Sequence, residues 1–485
     1  MQYKDPRITH YARPLAMHNL HIELDRHAGV PVAEQISTAI GTAIRCGRLY
    51  SGARLPSWRD LSAQLGVARG TVRVAYERLI DEQLIVSQGA AGTYVAHQLP
   101  AGSHADTSDL RSPLPEFFIQ PFSQPPLMFQ MGVPAQDVFP GKLWGRLTSA
   151  AARQTAIGGS VSYPDPRGEL VLRTEIAAYL SVARGLSCSP AQVIITNGYT
   201  GALGLIIHAL GLKNNSAWVE EPGYPLTRTA LCMAGLNPIA VNVDEQGLCV
   251  SDGIAQAPNA ALAVVTAGQQ APLGMTLSLV RRHQLLDWAA RNASWIVEDD
   301  YLSELQLSGR AAPALASLDR YGRVIHIGTF SKTVSPALRM GFIVVPLEHT
   351  NHFADVAAAL APASSVVTQL ALAEFMRKGH YLRHLRRMKR TYRSRLDALR
   401  QALQLSNVTD AMAGLALLLR LPDNVDDAAI VAQAAAFNLA PMPLSTWYAK
   451  PHASQSGLLL GVTNLPESEL DSYCEQLRLL IERTI

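Results

Sequence analysis

Lys332, in the run HIGTFSKTVSPALRMGF (326–342), carries the amine best placed for covalent chemistry in this 485-residue chain. It follows the apolar run VIHIGTF (324–330), which reads as a strand, and has Ser331 beside it and Arg339 about two helical turns downstream. An amine attacks a carbonyl only when part of it is unprotonated, and a cleft at a strand end supplies that environment. Upstream, WIVEDDY sets Asp299 and Tyr301 at the C-terminal end of a second apolar run, the edge of an open α/β sheet where ligands bind. The carboxylate suits a protonated ring nitrogen and the phenol suits an oxygen anion. A third run, VIITNGYTGALGLIIHAL, reads as strand, glycine turn and helix. The N–H groups of Gly198, Tyr199 and Thr200 then face an anion at the helix N-terminus, with the Thr200 hydroxyl adding a bond. A fourth, EEPGYPLTR, offers Tyr224 as a flat surface.

An amine, an acid, a phenol, a flat ring and an anion cup are together what pyridoxal phosphate requires. Each residue also has a plain structural reading. Lys332 alone is a surface lysine, Asp299 and Asp300 a helix cap or solvated loop, and Arg339 a salt-bridge residue. Their order and context in the chain carry the chemistry.

The elements that must position these residues are short apolar strands, VIIT (193–196), LAVVT (262–266), WIVED (295–299) and VIHIGTF, separated by helical stretches. That alternation predicts a mostly parallel sheet covered on both faces. From about 366 the chain becomes helix-rich, and LALLLRL (415–421) adds a strand, which predicts a smaller α+β part. Within it, Tyr381, Leu382, Leu385, Met388, Tyr392 and Leu396 recur at helical spacing, so the basic run RHLRRMKRTYRSRL (383–396) reads as an amphipathic helix with a solvated Arg/Lys face.

The first hundred residues have another logic. DLSAQLGVARGTVRVAYERLID (60–81) reads as two short helices joined by a tight turn at Gly66, the second burying Val72, Ala75, Tyr76 and Leu79. Arg69, Thr71 and Arg73 lie at its start, off that stripe, where a helix can present arginine to guanine edges or phosphates in a major groove. LIVSQGAAGTYVA (84–96) reads as a hairpin wing around glycines. A polar stretch, HQLPAGSHADTSDLRSPLP (97–115), reads as linker. The organisation expected is therefore a DNA-binding unit at 15–97, a linker at 98–126 and a second domain at 127–485, its large part about 155–365 and its small part about 366–485.

Composition agrees with this division. Hydrophobic residues are 48% and charged residues 17%, as in an ordinary globular protein. The net charge of +3 lies wholly at the start: residues 1–97 hold 11 Lys and Arg against 8 Asp and Glu, and the remainder holds 31 of each. Cys46, Cys188, Cys232, Cys249 and Cys474 show neither metal-ligand nor disulfide spacing and read as reduced packing residues, so no metal is expected. No apolar run reaches membrane-spanning length and no leader is visible at the start, so a cytoplasmic protein without a membrane partner is expected.

Both halves resemble one known architecture. PVAEQI, GRLYSGARLPSWRDLSAQLGVARGTVRVAYERL and the glycine-containing wing (31–96) resemble the winged helix of GntR-type regulators. SYPDPRGELVLRTEIAAYL, EEPGYP, WIVEDDYLSE, GTFSKTVSPALRMGF and GHYLRHLRRMKRTYRSRLDAL, from about 128 onward, resemble the fold-type I aminotransferase-like domain of the MocR/GabR subfamily. The resemblance implies an N-terminal winged helix-turn-helix (α+β) plus an α/β fold-type I domain with a small C-terminal α+β subdomain. It also implies a head-to-tail homodimer that binds a double-stranded DNA operator and responds to pyridoxal phosphate or a small amine or amino-acid effector. Site residues carried over are Lys332 as the internal aldimine, Asp299 on the ring nitrogen, Tyr301 and Gln270 near the phenolate oxygen, and Tyr224 stacked on the ring. Ser331, Arg339, Tyr199 and Thr200, with Gly198 in the turn, hold the phosphate, and Tyr163 reaches in from the partner subunit. Arg59, Arg69, Thr71 and Arg73 are expected on DNA, with Gly89 near the wing tip.

The sequence departs from the family in three places. Trp58 stands where an acidic residue is usual, and TAGQQAPLG replaces a PSHQxP-type segment, so Ala267, Gly268 and Gln269 stand for Pro, Ser and His. Leu226 and Leu459 occupy positions where arginines would clamp a carboxylate bidentately, with Arg228 close to the first. These leucines favour a sensing role over turnover. The alternatives are a working aminotransferase with an N-terminal extension, and a scaffold that only binds cofactor. The first leaves Arg59, Arg69, Thr71 and Arg73 without a role.

Overall fold

The computed structural model describes residues 22, 24–25, 29–45, 48–96, 125–157, 163–307, 309–361, 363–403, 407–423, 425–449, 455–465 and 469–484. Cys46 and most of the expected linker fall outside them. The chain divides into two compact units, 1–111 and 112–485.

In the first unit, α1 (Val32–Arg45), β1 (Arg54–Leu55), α2 (Trp58–Leu65), α3 (Arg69–Asp81), β2 (Ile85–Ser87) and β3 (Thr93–Val95) follow in order. Ile36, Ile40 and Ile44 recur every four residues on α1 and join Val72, Ala75, Tyr76 and Leu79 of α3 in one core. Ser57 caps α2 by accepting from the Asp60 N–H, and its hydroxyl donates to the Asp60 carboxylate at 2.7 Å. Gly66 ends α2 in the left-handed conformation, φ 63°, which turns the chain into α3. Trp58 leaves this geometry intact, as its first helical residue. The expected wing is the antiparallel pair β2 and β3, with the two-residue β1 added on the far side of β3.

The second unit opens with α4 (Gly141–Ile157), α5 (Leu170–Arg184), β4 (Val193–Thr196), α6 (Gly198–Leu210), β5 (Ser216–Glu221), α7 (Pro225–Met233), β6 (Asn237–Asp244) and β7 (Gly247–Leu248). Then come α8 (Val250–Gln256), β8 (Leu262–Val265), α9 (Leu279–Asn292), β9 (Trp295–Asp300), β10 (Val324–Thr329), β11 (Gly341–Val344) and α10 (Thr350–Leu360). The eight strands form one sheet in the order β4-β11-β10-β9-β8-β5-β6-β7. Neighbours from β10 to β6 are parallel, and β11 runs antiparallel to both β10 and β4. Separate apolar clusters on its two faces explain why β4, β8, β9 and β10 are buried at every position and read as continuous apolar runs.

The last part contains α11 (Val366–Arg377), α12 (His380–Leu403), β12 (Val408–Ala411), β13 (Ala416–Arg420), α13 (Asp427–Ala434), β14 (Met442–Pro443), β15 (Gly457–Gly461) and α14 (Leu470–Thr484). Its sheet, β12-β13-β15-β14, is antiparallel. The early segment around Met128 and Phe129 joins this part: Ala440 donates to the Met128 carbonyl and Gly461 to that of Phe129. On α12 the apolar stripe is buried as expected except for Leu382, which is 46% exposed on the flank, while His384 and Leu399 complete the buried face.

Candidate functional site

The proposed site residues in the large sheet converge on one edge, where β4, β5, β8, β9 and β10 all end. Because β11 is antiparallel it begins at this edge, so Arg339, two residues before it, arrives beside the turn from β4 into α6. Gly341 makes that approach possible: a Cβ there would lie 3.0 Å from the Gly328 carbonyl and 3.1 Å from Gly198 Cα.

Lys332 donates to the Gly132 carbonyl at 3.2 Å, and burial lowers its pKa to about 8 against the opposing charge of Asp299. Asp299 is buried and forms no ion pair among the described residues. Burial first, then the neighbouring Asp300 and Glu220, push it up to about 8, with His326 and Lys332 pulling the other way. The Tyr301 hydroxyl is buried without a hydrogen-bond partner among the described residues. An unpaired buried acid and an orphaned phenol near a buried amine of lowered basicity fit the pyridinium nitrogen, ring oxygen and carbonyl carbon of pyridoxal phosphate, since each polar group then gains the partner it lacks. Gln270 is differently employed: it donates to the carbonyls of Pro222 and Ala271, both at 2.7 Å, and accepts from the Leu273 N–H. It ties two loops together.

The anion cup is equally defined. Asn197 precedes α6 without a side-chain cap, Gly198 takes φ 73°, and the first N–H groups of the helix follow. Arg339 donates to the Thr200 hydroxyl at 2.9 Å and the Asn197 carbonyl at 3.3 Å, from a backbone φ of 48° that costs a non-glycine residue about 1–2 kcal/mol. Such strain beside the expected anion cup is consistent with function. Ser331 exchanges hydrogen bonds with Thr329 at the end of β10. The Tyr199 hydroxyl is turned away, 2.6 Å from Thr227 Oγ1 on α7. Tyr224 lies with its ring 6.0 Å from Tyr199 and 5.8 Å from Trp447, and a cavity bounded by Tyr199, Tyr224, Asp299 and Arg228 opens between them.

A second cavity borders Lys332 and is walled by Met131, Val133, Pro134, Leu302, Met412 and Leu415, with Thr463 as its polar side chain besides the lysine. Among the described residues no arginine lines it. Leu459 is fully buried in β15, paired with Leu418 and Met442. Arg228 donates to the carbonyls of Gly223 and Trp447 and lies 3.8 Å from Glu221, so its charge is already engaged.

Several residues here escaped sequence reasoning. Glu220 accepts from the N–H and hydroxyl of Thr266, at 3.1 and 2.5 Å, and burial raises its pKa to about 7. Beneath the edge, Asp300 meets Arg184 at 2.6 Å and His326 meets Glu298 at 2.9 Å, all four fully buried. The run VEDD marks a need for buried partners, since three consecutive acids inside an apolar strand require them, but not which residues supply them. Asp165 is clamped by Arg167 and Arg173 in the loop that leads from Tyr163, and Tyr163 itself is fully exposed.

In the first unit, Arg59, Arg69 and Arg73 are exposed and Thr71 half-buried. Arg59 lies 5.0 Å over the Trp58 ring, and Arg73 pairs loosely with Glu77 at 3.5 Å, a surface contact cheap to exchange for a phosphate. Gly89 is exposed at the wing tip with φ 58°. Among the described residues no group of acids, cysteines and histidines could hold a metal, the four described cysteines are free, and no helix is long and apolar enough to cross a membrane.

Comparison with known proteins bears on both units. Residues 140–456 match the family model for aminotransferase class I and II, and residues 32–95 match that for bacterial regulatory proteins of the gntR family. The probable rhizopine catabolism regulatory protein MocR of Rhizobium meliloti is 33% identical over 94% of each chain. The HTH-type pyridoxine biosynthesis transcriptional regulator PdxR of Corynebacterium glutamicum is 32% identical over 79% of this chain and 82% of its own. An archaeal alanine:glyoxylate aminotransferase superposes with a TM-score of 0.68 at 23% identity, over 74% of this chain and 91% of that one. A Pyrococcus horikoshii kynurenine aminotransferase gives 0.66 at 22%, over 78% and 98%. At that identity the two structures establish the fold alone.

Proposed function

This chain belongs to the MocR/GabR subfamily of GntR-type transcriptional regulators, and from that premise we propose that Lys332 holds its pyridoxal phosphate covalently and that the cofactor's state is passed to the winged helix. The observation that carries the reading is the convergence of Lys332, the unpaired acid Asp299 and the orphaned hydroxyl of Tyr301 at one sheet edge.

When bound, the cofactor supplies an aldehyde carbon that links reversibly to amines. The chain's own residues do the rest. Asp299 holds a proton on the ring nitrogen, Tyr301 bonds the ring oxygen, and Tyr224 covers the ring. Arg339, Ser331, Thr200 and the N–H groups from Gly198 to Thr200 grip the phosphate. Gln270 shapes the loop over the site. The exposure of Tyr163 supports its donation to the partner's site in a homodimer, which would present two winged helices to paired half-sites, with Arg59, Arg69, Thr71, Arg73 and Gly89 on the DNA.

The effector side is apolar and has no cation besides Lys332 among its described residues, which argues against capture of an amino acid by its carboxylate. Pyridoxal phosphate itself, or an amine without a carboxylate, is the signal this lining supports, and a relative named for pyridoxine biosynthesis agrees. The test is spectroscopic. The protein reconstituted with pyridoxal phosphate shows the visible band of a lysine-bound pyridoxal, and Lys332→Ala loses it while keeping its helical content. Amino acids leave the wild-type band unmoved at millimolar concentration. A persistent band in Lys332→Ala defeats the lysine assignment, and a micromolar amino-acid response defeats the effector assignment.

A further inference from the structure

The basic run on α12 remains without a role in the cofactor site. From His380 to Arg395 the helix carries seven lysines and arginines and no acid, the first carboxylate being Asp397. Arg383, Arg386, Arg387, Arg390 and Arg393 are all exposed, and at 100° per residue they share one face opposite Tyr381, Met388, Tyr392 and Leu399. An exposed arginine row is usually balanced by nearby acids, and at the ends of this row it is. Arg377 and Lys378 share Glu374, Arg395 meets Asp137, and Arg400 meets Asp410. Along the middle, Arg386, Arg387, Arg390 and Arg393 form no ion pair among the described residues. The positive field also reaches beyond the helix. His380 is held below its ordinary value by burial and then by Arg383, Lys378 and Arg146, the last contributed by α4.

We infer that this face of α12 is a second, sequence-independent DNA contact, which grips the phosphate backbone of a duplex. From Arg383 to Arg393 the row runs about 15 Å along the helix axis, a length over which one strand of a duplex offers roughly four phosphates. Guanidinium groups are suited to phosphate oxygens, and uncompensated exposed cations carry a partner's counterions away at little cost in desolvation. The inference rests on the family's DNA binding and adds a contact made by the aminotransferase-like unit itself.

The experiment is a salt titration of binding between the full-length, cofactor-loaded protein and a 60-base-pair duplex of mixed sequence. Each phosphate contact contributes about −0.9 to the slope of log K against log salt. Neutralising four arginines in Arg386→Ala/Arg387→Ala/Arg390→Ala/Arg393→Ala should flatten the slope by roughly 2 to 4 and weaken binding at least tenfold at low salt. The matching four-lysine variant should restore most of both. All four side chains are exposed, so melting temperature and the visible band should be unchanged, and the double variant Arg386→Ala/Arg390→Ala should show about half the effect. An unchanged slope in a folded alanine variant overturns the inference, as does a loss of retention on anionic vesicles with DNA binding intact. A wild-type protein that fails to bind the duplex under the same conditions would instead count against the regulator reading itself.

Discussion

Asp299 shows most clearly how a single residue reports its unmet partner. Its carboxyl has a folded pKa near 8 against an ordinary 3.8, because burial, Asp300 and Glu220 all oppose its charge. Between those values the folded chain keeps a proton that the unfolded chain releases, so stability from this group falls as pH rises through the window and the loss is complete above about 8. Cofactor-free Asp299→Asn should therefore match wild type near pH 4 and melt increasingly higher than it up to pH 8. With pyridoxal phosphate bound the order should reverse, because the amide cannot offset a protonated ring. Melting curves across pH on both forms check this, and a pH-independent difference between the proteins would contradict it. Sequence alone named Asp299, Tyr301 and Lys332 because each sits at the end of an apolar run, and Arg339 because it follows the lysine in the same segment. It missed Glu220 and Arg184, whose partners lie 46 and 116 residues away, and no local spacing announces such pairs. The family resemblance set Gln270 near the phenolate oxygen although Ala267, Gly268 and Gln269 depart from the family's segment, and its amide donates to the backbone carbonyls of Pro222 and Ala271.

At the scale of elements, strand periodicity was legible where burial is complete and obscure where it is mixed. β4 and β10 are buried throughout and read cleanly, whereas β6 is largely half-exposed and did not stand out. The antiparallel course of β11, on which the position of Arg339 depends, leaves no trace in the sequence. Local turn chemistry was more readable, as at Gly66. Its φ of 63° makes Gly66→Ala cost about 1–2 kcal/mol, which should lower the melting temperature of the first unit by several degrees and weaken DNA retention. The visible band of the second unit should not move. Differential scanning calorimetry with absorbance detection separates the two, and a band lost together with DNA binding would contradict independent folding of the units.

For the whole molecule, the two units bring together chemistries that serve one purpose only if they are coupled. A winged helix with exposed arginines binds DNA by itself, and an aminotransferase-like domain holds a cofactor by itself. Regulation requires that the cofactor bind the DNA-competent and incompetent states with different free energy. We propose that the apolar lining beside Lys332, which holds no arginine among the described residues, suits the second unit to sensing rather than turnover. The most direct test is the affinity of the full-length protein for the intergenic DNA beside its own coding region, measured by fluorescence anisotropy with and without pyridoxal phosphate, in wild type and Lys332→Ala. Coupling of the usual size predicts a change of about fivefold or more in the wild-type Kd and none in Lys332→Ala. Equal wild-type affinities with and without cofactor, or an undiminished response in Lys332→Ala, would contradict a regulator that reports through this lysine.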